Sequence, residues 1–141
     1  MAFTFPVRVY WEDTDAGGIV FYANYLKFFE RARTEWLRHL GIGQQALRAA
    51  TGGMFIVSET HMRHLRPARL DDELLVTASL HETGRASLTI AQQALLKQEQ
   101  PVQAEPVLLA EGSIRIGWVD AATLRPGRIP STVIDVLRQQ P

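Results

Sequence analysis

Three carboxylates, Glu12, Asp13 and Asp15, crowd into four positions. The paired glycines Gly17-Gly18 follow, then Ile19-Val20-Phe21-Tyr22-Ala23-Asn24-Tyr25. The acids stand where an alternating apolar pattern stops and a helical one starts, so a strand end and a helix amino terminus meet around them. The first amides of a helix have no internal partner and carry partial positive charge. Such amides stabilise the oxyanion that forms when a carbonyl carbon is attacked, and one donor of this kind is worth about 3 kcal/mol. A carboxylate just upstream, folded back over Gly17-Gly18, has the chemistry to attack that carbonyl itself or to deprotonate a water beside it. The expected donor is the Tyr22 backbone N–H, with one of the three acids as the carboxylate. Taken alone, acids in such a loop serve equally as solvated charges or caps, and the rest of the segment has to decide.

The elements that position this segment are legible from periodicity. Phe3, Phe5, Val7, Val9 and Trp11 alternate with Thr4, Pro6, Arg8 and Tyr10, as in a half-buried strand. From about Ala23 to Leu40 the residues Tyr25, Leu26, Phe29, Ala32, Trp36, Leu37 and Leu40 recur at helical spacing, and Gly41 is a natural stop. At 1.5 Å per residue this helix is roughly 27 Å long. Phe28, on its other side, makes it greasier than a plain surface helix. A short helix is expected over 44–50, then strands over 54–66, 74–81, 88–96 and 108–118. Ser131 is the expected cap of a last helix through Leu137. One strand, one helix, four strands joined by short turns and a terminal helix describe an α+β domain with antiparallel pairing, in a single unit over 1–141.

Composition narrows the function classes. Fifteen basic and fifteen acidic side chains cancel, so no overall field draws polyanions and nucleic acid is not expected as the partner. There is no cysteine, which removes disulfides, thiolate metal sites and cysteine nucleophiles. His61 and His64 are three apart on an expected strand and should face opposite sides, while His39 and His81 lie in unrelated segments; no metal site is expected. No Gly-x-Ser-x-Gly segment supports a serine hydrolase. The amino terminus lacks a signal-peptide pattern and no run approaches about 20 apolar residues, so a cytoplasmic protein with no transmembrane segment is expected.

The run Asp15-Ala16-Gly17-Gly18-Ile19-Val20-Phe21-Tyr22-Ala23-Asn24-Tyr25 resembles the signature of the hotdog-fold acyl-CoA thioesterases. Pro6-Val7-Arg8-Val9-Tyr10, Glu12-Asp13-Thr14-Asp15, Phe29-Glu30-Arg31-Ala32-Arg33-Thr34-Glu35 and Pro67-Ala68-Arg69-Leu70-Asp71-Asp72 extend the resemblance over nearly the whole chain, toward the Tol-Pal-associated branch. It implies a hotdog fold, an antiparallel sheet of about five strands wrapped around one long central helix. It implies hydrolysis of acyl-CoA-type thioesters without metal or redox cofactor, Asp15 being catalytic and the Tyr22 amide polarising the thioester. It also implies a homodimer or homotetramer with sites at the subunit junction. Many members of that branch carry histidine where this chain has Tyr22. Here the position is similar to the 4-hydroxybenzoyl-CoA thioesterases, which use the backbone N–H of a tyrosine.

For substrate holding, Gly18, Val20, Asn24 and Tyr25 are expected to shape the turn, the helix start and the pocket wall. By the resemblance Met54, Phe55 and Ile56 border the acyl group, and Arg85 and Ser87 contact the nucleotide part of CoA, a guanidinium being suited to phosphate. Ordinary core packing for the first three and a solvated turn for Arg85 are the simpler alternatives. The rival function is a non-catalytic module near the cell envelope that binds acyl thioesters or acyl carrier protein through the same groove. Retention of Asp15 speaks against it. A hotdog hydratase fits the segment less well still.

Overall fold

The computed structural model describes residues 2–99 and 104–139; the expected domain limits, 1 and 141, lie outside them. Strand β1 (Phe3–Arg8) leads through a 3-10 turn (Trp11–Asp13) and a second one (Tyr22–Asn24) directly into helix α1 (Tyr25–His39). Helix α2 (Gln44–Thr51) follows, then β2 (Gly53–His64), β3 (Glu73–Thr83), β4 (Ser87–Leu96), β5 (Val107–Asp120) and helix α3 (Ser131–Arg138). The strands form one sheet in the order β1-β3-β4-β5-β2, every pair antiparallel. Helix α1 packs across it against β1, β3 and β4. This is the sheet wrapped around a long helix that the sequence leads one to expect.

Burial explains why α1 lies where it does. Tyr25, Phe28, Phe29, Ala32, Trp36 and Leu37 form its buried stripe, each large side chain contributing about 1.5–3 kcal/mol relative to exposure. Their neighbours are Val7 on β1, Leu74, Val76 and Ala78 on β3, and Leu88, Ile90 and Ala94 on β4. The helix is rotated slightly from its expected phase: Phe28 is fully buried whereas Leu26 is 43% exposed. One polar peg crosses this interface. The buried Gln92 side chain donates to the carbonyls of Phe29 (3.0 Å) and Thr77 (3.1 Å) and accepts from Arg33 (3.0 Å), so helix and sheet hold a fixed register. Burial lowers the pKa of that Arg33 guanidinium, with Glu30 opposing.

Several local expectations are corrected. The first strand ends at Arg8, and Trp11, 83% exposed, sits in a turn rather than continuing the alternation. Asp13 N–H donates to the Tyr10 carbonyl there and closes the chain into a turn. The main helix starts at Tyr25, two residues later than expected, because Tyr22–Asn24 winds as a tighter 3-10 turn. Leu109 and Ala110 are both buried, which strict alternation does not allow, since a bulge shifts the β4–β5 register between Ala94 and Leu95. Ser131 makes no side-chain cap; Pro130 holds that position, and its carbonyl accepts from Val133 and Ile134. His39 and His81, distant in sequence, line one cavity of about 520 Å³ between the end of α1 and β3.

Candidate active site

The acidic loop is a hairpin turn closed by its own hydrogen bonds. Asp15 N–H donates to the Ile19 carbonyl (2.9 Å), Gly18 N–H donates to the Asp15 carbonyl (3.0 Å), and Thr14 pairs antiparallel with Val20. Asp at the first and Gly at the fourth position of such a turn are the residues it favours. Gly18 has φ +77°, a conformation side chains oppose. The segment after β2 pins the turn from outside. Val20 N–H donates to the Ala68 carbonyl (2.9 Å), and Ile19 forms a bridge with Arg69.

Within this frame the carboxylates divide into different roles. Asp13 is only 5% exposed. Its Oδ2 accepts from Tyr10 N–H (2.8 Å), its Oδ1 from Asn24 Nδ2 (2.9 Å), and its carbonyl from Phe21 N–H (3.0 Å). A buried carboxylate with two such donors is the anchor that ties the end of β1 to the start of α1. The sequence left these acids as solvated charges or caps; Asp13 does cap the Tyr10 turn, and its second partner, Asn24, is eleven residues away, beyond any local pattern. Asp15, by contrast, is exposed. One oxygen accepts from Gly17 N–H at 2.8 Å, and the other has no partner among the described residues. Asp15 is open to a ligand, as is Glu12, which is exposed and makes no side-chain hydrogen bond among the described residues.

Tyr22 is the first residue of the 3-10 turn that feeds α1. No acceptor takes its N–H among the described residues. Its side chain is 68% exposed and lies against Phe21 (ring centroids 4.8 Å) and edge-on to His64 (6.4 Å). Tyr25 is buried, its hydroxyl accepting from Ala68 N–H at 3.3 Å and its ring 5.4 Å from His64. Burial pushes the Tyr25 pKa up, the Ala68 hydrogen bond pulls the other way, and Asp72 adds a further upward push. The phenol therefore stays protonated. Val20 and Asn24 are also buried, the first in the core and the second on Asp13.

The remaining expected residues lie elsewhere in this chain. Phe55 pairs with Trp118 on β5, whereas His64, beside Tyr22, pairs with Ala110. Eight residues of β5 separate those rows, about 26 Å at roughly 3.3 Å per residue. Met54 and Ile56 flank Phe55, and Ser87 pairs with Gly117 in the same far region. Arg85 is exposed and borders a cavity of about 450 Å³ with Arg128, Arg138 and Asp135. Asp15 and Gly18 thus share one closed turn, and Tyr22 and Tyr25 follow it at the start of α1, with Val20 and Asn24 buried between them. The chain keeps Met54–Ile56, Arg85 and Ser87 at the other end of the sheet. His64 is the neighbour of this constellation that the sequence did not single out.

The comparisons with known proteins follow the same line. The family described as thioesterase-like superfamily matches residues 9–139. The acyl-CoA thioester hydrolase YbgC of Escherichia coli O6:H1 is 39% identical over 137 residues, which cover 97% of this chain and 96% of that one. The acyl-CoA thioesterase YbgC of Haemophilus influenzae is 38% identical over 131 residues, 93% of this chain and 90% of that one. Among solved structures, a probable thioesterase from Bartonella henselae superposes with a TM-score of 0.82 at 28% identity, covering 92% of this chain and all of that one. A mutant 4-hydroxybenzoyl CoA thioesterase complexed with 4-hydroxybenzoyl CoA gives 0.87 at 18% identity, covering 96% and 98%, a likeness of fold.

Proposed function

The chain belongs to the thioesterase-like superfamily, and on that premise we propose that it hydrolyses acyl-CoA-type thioesters to a free acid and CoA. The observation that carries this reading is the hairpin turn that holds an exposed carboxylate, Asp15, just ahead of the unpartnered Tyr22 N–H. A thioester whose carbonyl oxygen accepts from that N–H presents its carbon to the carboxylate. Asp15 then either adds to the carbon, expelling the CoA thiolate and leaving an anhydride for water to open, or takes a proton from the water that adds. In both routes negative charge grows on the carbonyl oxygen, where a fixed backbone donor acts most strongly. Asp13 and Asn24 hold the two parts in register without touching substrate. A cytoplasmic location accords with a CoA substrate, and no helix of the described residues is long and apolar enough to cross a membrane.

Thiol release from a panel of short, long and aromatic acyl-CoAs tests this function. Turnover of at least one class is expected, and the preferred class identifies the acyl pocket. A native chain that retains acyl-CoA or acyl carrier protein but cleaves no thioester would instead be the binding module.

The assembled site belongs to a homodimer, alone or paired into a homotetramer. Strand β2 is a sheet edge of twelve residues with Ile56 and Val57 exposed upon it, the kind of edge that invites a second strand. Antiparallel pairing of β2 with its own copy about residues 58–59 sets 53–56 of one copy beside 61–64 of the other. Met54, Phe55 and Ile56 of one subunit then border Asp15 and Tyr22 of its partner, which removes the separation of about 26 Å within a single chain. Light scattering is expected to give two or four chains per particle. A monomer with full activity would contradict a shared site.

A further inference from the structure

We infer that His64 is a further catalytic residue of this site, its imidazole donating a hydrogen bond to the thioester group as negative charge develops there. The inference rests on the thioesterase reading above and adds a side-chain donor to the backbone donor of Tyr22.

Strand parity and ring geometry bring the imidazole to the site. His64 is the last residue of β2 and pairs with Ala110, which is fully buried on the helix-facing side of the sheet. Directly opposed residues of antiparallel strands share a face, so His64 points toward α1 rather than away from it. Its ring lies 5.4 Å from that of Tyr25 and 6.4 Å, edge-on, from that of Tyr22. The loop-and-turn segment 12–25 contains no histidine of its own, so any imidazole at this place has to arrive from another element.

The state of the ring distinguishes it from the other histidine of β2. His61 pairs with Ser113 on the opposite face, and its Nε2 is engaged by Glu59. His64 is exposed, and neither ring nitrogen has a hydrogen-bond partner among the described residues. A neutral imidazole always carries one N–H. Two aromatic neighbours thus orient a ring whose donor is free, next to the residue whose amide faces the carbonyl. Tyr25 beside it is buried and its hydroxyl accepts from Ala68 N–H at 3.3 Å, which fixes the ring that the imidazole faces.

The test compares His64→Phe, which keeps a ring against Tyr22 and Tyr25 but has no N–H, with His64→Gln, which keeps an N–H but no ring. Both are assayed on acyl-CoAs that the native chain cleaves. His64→Phe should lower kcat by at least about tenfold, leave KM within about twofold and melt like the native protein. His64→Gln should recover a measurable part of that loss. A phenylalanine variant with native kcat overturns the inference while native turnover preserves the thioesterase reading. So does a loss confined to KM for one acyl class, which would make His64 a pocket wall, or equal losses in both variants with lowered melting, which would make it packing. A native chain with no thiol release on any donor overturns the reading itself, and the inference with it.

Discussion

Replacing Tyr22 by proline is expected to slow thioester turnover by about 10²- to 10³-fold, whereas Tyr22→Ala retains most of it. The two substitutions separate the backbone from the side chain. Proline lacks the N–H and alanine keeps it, while both remove the phenol and its contacts with Phe21 and His64. The fold should tolerate proline here. Tyr22 opens a helical turn, where a missing N–H breaks no internal bond. Phe21 before it has φ −59° and ψ 131°, the extended region that a residue preceding proline prefers. Steady-state kinetics beside a melting curve decides the matter. A folded proline variant with native kcat would remove the Tyr22 amide from the mechanism, and an equally slow alanine variant would transfer the role to the side chain.

Asp15→Asn should lose about 10²- to 10⁴-fold in kcat, the range for removing a positioned acid–base group, without a change in folding. Asparagine still offers an oxygen to Gly17 N–H, so the turn that Asp15 closes at 2.8 Å survives. The exposed position leaves no buried charge to remove. What disappears is the basic, nucleophilic oxygen. Both the anhydride and the water route need that oxygen, so the variant tests the carboxylate whichever route operates. Kinetics across the acyl-CoA panel, read with melting temperature, checks it. Native kcat in the variant would shift attention to Asp13 or Glu12. Asp13 is poorly suited, because both its oxygens are already engaged by Tyr10 N–H and the Asn24 side chain.

The sheet, the long helix and the Asp15-to-Tyr25 segment were legible because each rests on local pattern. Period-2 alternation holds along most of β3 and β4, and the buried stripe of α1 recurs at three and four residues. What escaped depends on distant partners. Alternation fails wherever a bulge intervenes, as between Val57 and Glu59 or Ala94 and Leu95, and Leu109 and Ala110 beside the second are both buried. The phase of α1 is set by which side chains meet β1, β3 and β4, so Phe28 is buried and Leu26 is not, though both are apolar. Of the three acids, spacing alone could not tell Asp13, buried on Asn24, from Asp15, open to solvent. Met54–Ile56 and Arg85 were associated with the site by resemblance, and a single chain keeps them far from Asp15. The proposed pairing of β2 with its own copy would bring Met54–Ile56 across, a step that depends on a surface rather than on a local pattern.

The most direct test of a carboxylate-centred thioesterase is to hold one cleavable acyl-CoA with the native chain and with Asp15→Asn, following bound intact thioester and released thiol together. The mechanism predicts that the native chain frees the thiol while the variant binds the same acyl-CoA and keeps it intact. Equal release by both proteins, or an intact thioester on both, would contradict it.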